Sequence, residues 1–342
     1  MSGKLYFRPI ASVDPARPVG ALPLAGGPAW FSSLERLERG GKSEILPATE
    51  VPETVLRSLS ARRAPVAGLS LERPRLMGIL NVTPDSFSDG GSLRGAAAVA
   101  RARALARNGA DILDVGGEST RPGAAPVSSG EELGRTIPLV NALSASGFPL
   151  PLSIDTRKAD VARAALNAGA RIVNDVSALR HDSEMASVVI ESGAAVILVH
   201  ARGEPRNMQD DPHYGNVLLD VYDHLAERVE ICERKGIARA RIMVDPGIGF
   251  GKTQAHNLAL IRGLSLFHGL GCAILLGVSR KGFIGAIGDE PRAQRRAPGS
   301  IALALAGLRQ GVQMLRVHDI SETRQAVRLW QAVSNDAGGN DP

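Results

Sequence analysis

Cysteine is nearly absent from the 342 residues: Cys232 and Cys272 stand far apart, in no CxxC or Cys/His grouping. That excludes a disulfide framework and a structural zinc site, and leaves both thiols as expected buried small hydrophobes. Aromatic residues make up 4% of the chain, and basic runs go no further than pairs such as Arg62-Arg63 and Arg295-Arg296. Nucleic-acid binding, which needs clustered cations and stacking platforms, is therefore disfavoured. The net charge of +5 is also spread out: residues 1–73 carry ten Lys and Arg against seven Asp and Glu, and the remainder carries thirty against twenty-eight. Long apolar runs are missing too. The stretch Ala194 to Val199 is strand-sized, far short of the ~20 residues that cross a bilayer. The N-terminus, broken by Pro9, Pro15, Pro18 and Pro23, shows no secretory signal, so a cytoplasmic location is expected. GxSxG and HExxH are absent, and in Asp245-Pro-Gly-Ile-Gly-Phe-Gly-Lys-Thr253 a proline sits where a P-loop needs its first glycine. Serine-hydrolase, zinc-protease and P-loop chemistry drop out, and the glycines there read as a tight turn.

What is present is an ordinary globular balance, 44% hydrophobic and 22% charged. Residues 1–73 sustain no period; they read as an N-terminal extension of unknown role, with short helices expected near 31–40 and 51–62. From residue 74 to 335 the chain settles into short apolar strands alternating with amphipathic or alanine-rich helices, and 336–342 reads as a flexible tail. Strands are expected to begin near Leu76, Asp111, Leu150, Arg171, Ala194, Arg241, Cys272 and Val312, roughly 34 residues apart, the length of one strand, one helix and two loops. Helices such as Ala96–Asn108, Lys158–Asn167 and Val217–Lys235 each run into a glycine, the preferred C-terminal stop. The expected fold is α/β: a closed (β/α)8 barrel, with strands apolar on both faces as a doubly covered parallel sheet requires.

In such a barrel the loops after the strands share one rim. The strand ends read Asn81, Glu118-Ser-Thr-Arg121, Asp155, Asn174-Asp175, His200, Asp245, Ser279-Arg-Lys281, and Arg316 with His318. Each has a plainer explanation taken alone. Thr83 before Pro84 reads as a helix cap, Asp155 and Asp245 are compatible with capping, and His200 fits a hydrogen-bonded core histidine better than a ligand. Their coincidence on one face argues for a site. Asp155, Asn174 and Asp245 supply acceptors for a heterocycle with an N–H and amino edge, while Arg121, Lys281, Arg316 and His318 supply cations for a phosphate or diphosphate.

Seven motifs carry a family resemblance: Met77-Gly-Ile-Leu-Asn-Val-Thr-Pro-Asp-Ser-Phe-Ser-Asp-Gly-Gly91, Asp114-Val-Gly-Gly-Glu-Ser-Thr-Arg-Pro-Gly123, Ser153-Ile-Asp-Thr156, Asn174-Asp-Val176, Asp245-Pro-Gly-Ile-Gly-Phe-Gly-Lys252, Ser279-Arg-Lys281 and Arg316-Val-His-Asp319. Over about residues 75 to 334 the chain resembles the dihydropteroate synthases, pterin-binding barrels of folate biosynthesis. The resemblance implies a homodimer that joins p-aminobenzoate to 6-hydroxymethyl-7,8-dihydropterin diphosphate with Mg2+, and a site that sulfonamides would mimic p-aminobenzoate to enter. It implies that Asp155, Asn174 and Asp245 hold the pterin edge and that Lys281 reaches its ring. Thr120, Arg316 and His318 would contact the diphosphate, Phe250, Ser279, Arg121 and Pro122 would surround the p-aminobenzoate, and Asn81 would touch the metal. Asp155, Lys281 and Arg121 are the residues it implies for the chemistry itself. Two departures stand out: Ala201 where the family commonly has methionine, and Gly282 where bulkier residues are frequent. The competing readings are a pterin-binding methyltransferase of the same barrel class and a catalytically silent pterin-binding paralogue.

Overall fold

The computed structural model describes residues 3–82, 92–119, 123–203 and 207–334, apart from the side chains of 92–94. The expected flexible tail, 336–342, and the Thr83-Pro84 cap lie outside the described residues. The N-terminal segment contains strands β1 (Leu5–Pro9), β2 (Leu22–Pro23), β3 (Trp30–Phe31), β4 (Ser33–Glu38) and β5 (Glu44–Pro47), then helix α1 (Glu53–Ser60). Helix α1 falls within the helix expected at 51–62, but the helix expected at 31–40 is β3 and β4. Leu34 and Leu37, three residues apart, imitate a helical stripe; in a strand that spacing puts them on opposite faces. Both faces are covered. Leu34 packs with Leu24, Phe31 and Leu59 in a small local core, and Leu37 packs with Tyr6, Leu219 and Leu266. Strand β4 pairs antiparallel with β1 from Leu5↔Glu38 to Pro9↔Leu34, and with β5 on its other edge.

Eight parallel strands form the barrel: β6 (Arg75–Asn81), β7 (Ile112–Gly116), β8 (Leu152–Asp155), β9 (Ile172–Asp175), β10 (Ala195–Val199), β11 (Ile242–Asp245), β12 (Ala273–Leu276) and β13 (Met314–Val317). The closed order is β10-β11-β12-β13-β6-β7-β8-β9. Between and after them run α2 (Ser92–Arg107), α3 (Ser129–Ala145), α4 (Ala159–Asn167), α5 (Met185–Ser192), α6 (Val217–Arg234), α7 (Gln254–Arg262), α8 (Gly282–Ile287), α9 (Ala297–Arg309) and α10 (Ile320–Ser334). Among the described residues no helix is long and apolar enough to cross a membrane.

Period-2 alternation along each strand divides the apolar residues in two. One set, including Leu76, Leu113, Val173 and Leu198, packs against the helices. The other, including Met77, Ile112, Ile172, Met243, Leu275 and Met314, fills the barrel, where Val66 and Leu71 join it. Most of this inner set lies at the strand starts, so the turn around Val66–Leu71 closes the end of the barrel opposite the strand C-termini. Cys232 and Cys272 are buried free thiols, and burial pushes them up to about 11 and about 12 respectively.

The N-terminal segment is bound to the barrel. Lys4 and Arg39 make ion pairs of 2.6 Å with Asp220 and Asp223 of α6, and the Tyr6 hydroxyl donates to Asp223 at 2.7 Å. The Ser265 hydroxyl donates to the Pro9 carbonyl at 2.7 Å. The Arg63 guanidinium bonds to backbone carbonyls of Ser58, Ala61, His268 and Cys272, and burial lowers its pKa to about 10.

Candidate active site

The strand C-termini follow from the same arithmetic. Two residues beyond an inward-facing apolar side chain comes the next inward position: Ile112 leads to Asp114, Ile172 to Asn174, Met243 to Asp245 and Met314 to Arg316, while Ser153 leads to Asp155 and Met77, through Ile79, to Asn81. Adjacent strands keep these at matching heights. Asn81 pairs with Gly116, Gly116 with Asp155, and Asp155 with Asn174. A polar layer therefore caps the apolar barrel core and forms the floor of a cavity of roughly 770 Å³, a size suited to a small organic substrate.

Asn81, Asp155, Asn174, Asp245, Phe250, Ser279, Lys281, Arg316 and His318 all line that cavity, so residues from six strand ends converge on one mouth. Thr120, Arg121 and Pro122, the remaining site expectations, lie outside the described residues. The acidic and cationic groups are not segregated as the strand-end reading sorted them. Arg316 donates from Nε to Asp114 at 2.7 Å and from Nη2 to Asp155 at 2.6 Å. The same Asp114 oxygen accepts from Asn174 Nδ2 at 3.1 Å. A guanidinium this deep takes the carboxylates within reach, because leaving any of the three charges unpaired would be costly. Burial pushes the Asp155 carboxyl up, to about 7, against the pull of Arg316. On the Arg316 side desolvation is outweighed by Asp114 and Asp155, which raise its pKa. The two tendencies balance near pH 7, and above it the short contact holds the pair ionised.

Asp245 accepts from the Gly247 amide at 2.7 Å; burial raises its pKa, opposed by that bond and by Lys281, Lys252 and Arg316. The Lys281 ammonium lies 4.0 Å from the centre of the Phe250 ring, so one cation–π pair spans the loops after β11 and β12. Ser279 joins the loops after β12 and β13, its hydroxyl accepting from the His318 amide at 3.2 Å and lying 3.0 Å from His318 Nδ1. Asp175, at the end of β9, serves the backbone: it accepts from the amides of Ser177 and Leu179 and the Ser177 hydroxyl. Glu118 is engaged by Lys158 at 2.8 Å and Arg157 at 3.3 Å.

His200 takes the plainer of its two readings. It is buried, stacked edge-on against His224 at 4.8 Å and bonded to Lys252 at 2.8 Å, and burial holds it neutral. The glycine run after β11 is a tight turn, as expected. A Cβ at Gly247 (φ +68°) would lie 1.8 Å from the His200 carbonyl oxygen, and one at Gly251 (φ +62°) 2.1 Å from that of Arg202. Gly282 is different: at the start of α8 it has open space where a side chain would go, so nothing steric forces the departure there.

Strand-end reasoning missed Asp114 and Lys252 as site residues, although both lie in the motifs. A carboxylate in the otherwise apolar β7, two residues after inward-facing Ile112, was the available signal for Asp114.

Comparison with known proteins places this architecture in a class. The sequence model described as "Pterin binding enzyme" matches residues 77–318, and the chain belongs to that family. Among its relatives is a dihydropteroate synthase of Escherichia coli strain K12, 43% identical over 265 residues, covering 77% of this chain and 93% of that protein. Among solved structures, the Xanthomonas albilineans dihydropteroate synthase with 4-aminobenzoic acid superposes with a TM-score of 0.75 at 45% identity, covering 80% of this chain and 98% of that one. The enzyme from the same organism in complex with 7,8-dihydropteroate gives 0.71 at 40% identity, covering 80% and 99%.

Proposed function

We propose that the protein is a C–N bond-forming transferase of folate biosynthesis that condenses p-aminobenzoate with 6-hydroxymethyl-7,8-dihydropterin diphosphate, giving 7,8-dihydropteroate and diphosphate. The observation that carries this reading is the convergence of Asp155, Asn174 and Asp245 with Lys281 and Arg316 over one cavity floor; the relatives' shared activity supports it.

The arylamine nucleophile is already uncharged at neutral pH, so it needs orientation and no strong base. Phe250 and Ser279, with Arg121 and Pro122 by family likeness, would orient it. Breaking the carbon–oxygen bond is the harder step, because the leaving diphosphate gains charge. Two of the five Arg316 N–H donors are used by Asp114 and Asp155, so others remain for an anion; His318 and, by family likeness, Thr120 would share that role. The methylene left behind spreads positive charge into the pterin ring, which Asp155 and Asp245 would stabilise, with Asn174 fixing the ring edge and Lys281 reaching it. The substitution is therefore dissociative. Asn81 offers an amide oxygen in the cavity wall, which fits a hard cation held mainly by phosphate oxygens and water. Bound there, Mg2+ would neutralise charge on the departing diphosphate. A homodimer and a cytoplasmic location complete the proposal; Leu329 and Val333, exposed one turn apart on α10, supply apolar surface for the former.

The test is a coupled diphosphate-release assay with p-aminobenzoate omitted as control. Magnesium-dependent release with dihydropteroate as product is expected; release that ignores p-aminobenzoate sinks the reading. Asp155→Asn should lower turnover more than it weakens diphosphate binding, and equal losses would contradict the dissociative step.

A further inference from the structure

We propose that Lys252 is a positioning residue for this site: its ammonium pins the loop that carries Asp245 and Phe250, and its charge favours the anionic form of Asp245. The inference rests on the function proposed above and adds a residue that no step of that chemistry uses. Lys252 is 3% exposed. Its Nζ lies 2.9 Å from the Gly247 carbonyl oxygen, 3.0 Å from that of Phe250, 3.3 Å from that of His200 and 2.8 Å from His200 Nδ1. Three of these partners can only accept. A buried neutral His200 accepts at Nδ1 when Nε2 carries its proton. Burial presses the Lys252 amine toward its neutral form, opposed by Asp245; the cage favours the charged form, because an ammonium brings three donors and no lone pair to carbonyls that can only accept.

The surroundings show why a pin is needed. Gly247 and Gly251 adopt left-handed conformations that press the loop onto the carbonyls of His200 and Arg202 with no room for a side chain. The turn thus aims its own carbonyls inward, and the lysine reaches back from the far end of the loop to collect them. Between those carbonyls the chain runs through Phe250, whose ring carries the Lys281 ammonium, and it begins at Asp245. Fixing Gly247 and Phe250 therefore fixes a pterin contact and an arene contact together.

Asp245 faces Lys252, Lys281 after β12 and Arg316 on β13; Lys252 itself also faces His200, His224 on α6 and His256 on α7. Removing the Lys252 charge leaves Asp245 with fewer cations, so its ionisation should require a higher pH. A pin acting by shape alone would not produce that change.

The experiment uses the full chain with Lys252→Met and Lys252→Gln, 6-hydroxymethylpterin as the calorimetric probe from acid to alkaline pH, and steady-state kinetics. Lys252→Gln keeps donors for the carbonyls while removing the charge, and guards against a Met variant that does not fold. Both variants should bind the pterin on the order of 10- to 100-fold more weakly, as an ångström-scale displacement of the loop implies. The KM for p-aminobenzoate should rise, while kcat at saturation changes by less. The acid limb of pterin binding should move up by about one pH unit, the lower end of the effect of a nearby charge. A folded variant whose pterin affinity and KM stay within about twofold of wild type, too small a change to reflect a displaced loop, overturns the proposal. So does weakened binding with an unmoved acid limb, which refutes the charge role. Failure of the wild-type protein to bind 6-hydroxymethylpterin would instead sink the function proposed above and this inference with it.

Discussion

Replacing Arg316 with methionine keeps bulk and deletes the guanidinium that joins Asp114 and Asp155. The Asp114 and Asp155 side chains are 0% and 12% exposed, with ion-pair contacts of 2.7 and 2.6 Å. Stripping one partner from a buried pair costs about 3–5 kcal/mol, because the surviving charge is stranded away from water. For a chain of this size that corresponds to a drop in Tm of roughly 4–7 °C. The clean measurement is urea unfolding, compared across wild type, Arg316→Met, Asp155→Asn and the double variant. If the ion cluster is the cause, Asp155→Asn should rescue Arg316→Met, and the cycle should show coupling on the order of 1–3 kcal/mol. The single Arg316→Met variant should also gain stability as pH falls, since protonating either stranded carboxyl relieves the repulsion. An Arg316→Met protein within about 1 kcal/mol of wild type, or a double variant less stable than it, would refute the reasoning, since a buried pair broken on one side costs several times that.

The pH dependence of the native protein has a definite sign at Asp155. Its carboxyl is raised from 3.8 to about 7 in the fold, so between those values the folded state holds a proton that the unfolded state has lost. Stability from this group therefore declines as pH rises through that window, and Asp155→Asn should flatten the slope measured by urea unfolding at several pH values; an unchanged slope would assign it elsewhere. Gly247→Ala forces a Cβ to 1.8 Å from the His200 carbonyl at φ +68° and should cost on the order of 3 kcal/mol or more, whereas Gly282→Ala, with open space around it, should be neutral or slightly stabilising. Thermal melts of the pair check both. Arg39→Ala removes partly exposed ion pairs to Asp220 and Asp223 and should cost no more than about 1 kcal/mol in low salt, with the difference from wild type vanishing near ~1 M salt.

The barrel was legible because its strands are apolar on both faces. Expected starts at Leu76, Asp111, Arg171, Ala194, Arg241 and Cys272 fall one residue from the observed Arg75, Ile112, Ile172, Ala195, Ile242 and Ala273, and Leu150 and Val312 fall two from Leu152 and Met314. The N-terminal strands were not, because β4 is covered on both sides by different partners and so loses the alternation that marks a strand. Asp155, Asn174 and Asp245 stood out as polar endings of apolar runs. Asp114 sits before the end of β7, and recognising it takes the inward register of the barrel, which is a property of neighbouring strands and not of the segment alone. Lys252 was hidden for a related reason: its partners are mainly backbone carbonyls, which have no signature in the sequence.

The two-sided role of β4 bears on how the protein can be shortened. Family similarity begins at Met77, which invites cutting the chain just before it. Such a cut would strip Tyr6 and Leu37 from Leu219 and Leu266, unseat Val66 and Leu71 from the base of the barrel, and take Lys4 and Arg39 away from Asp220 and Asp223. The trimmed product would present a greasy strip edged with carboxylates, together with an unplugged underside, and would clump during purification even with every substrate-facing residue intact.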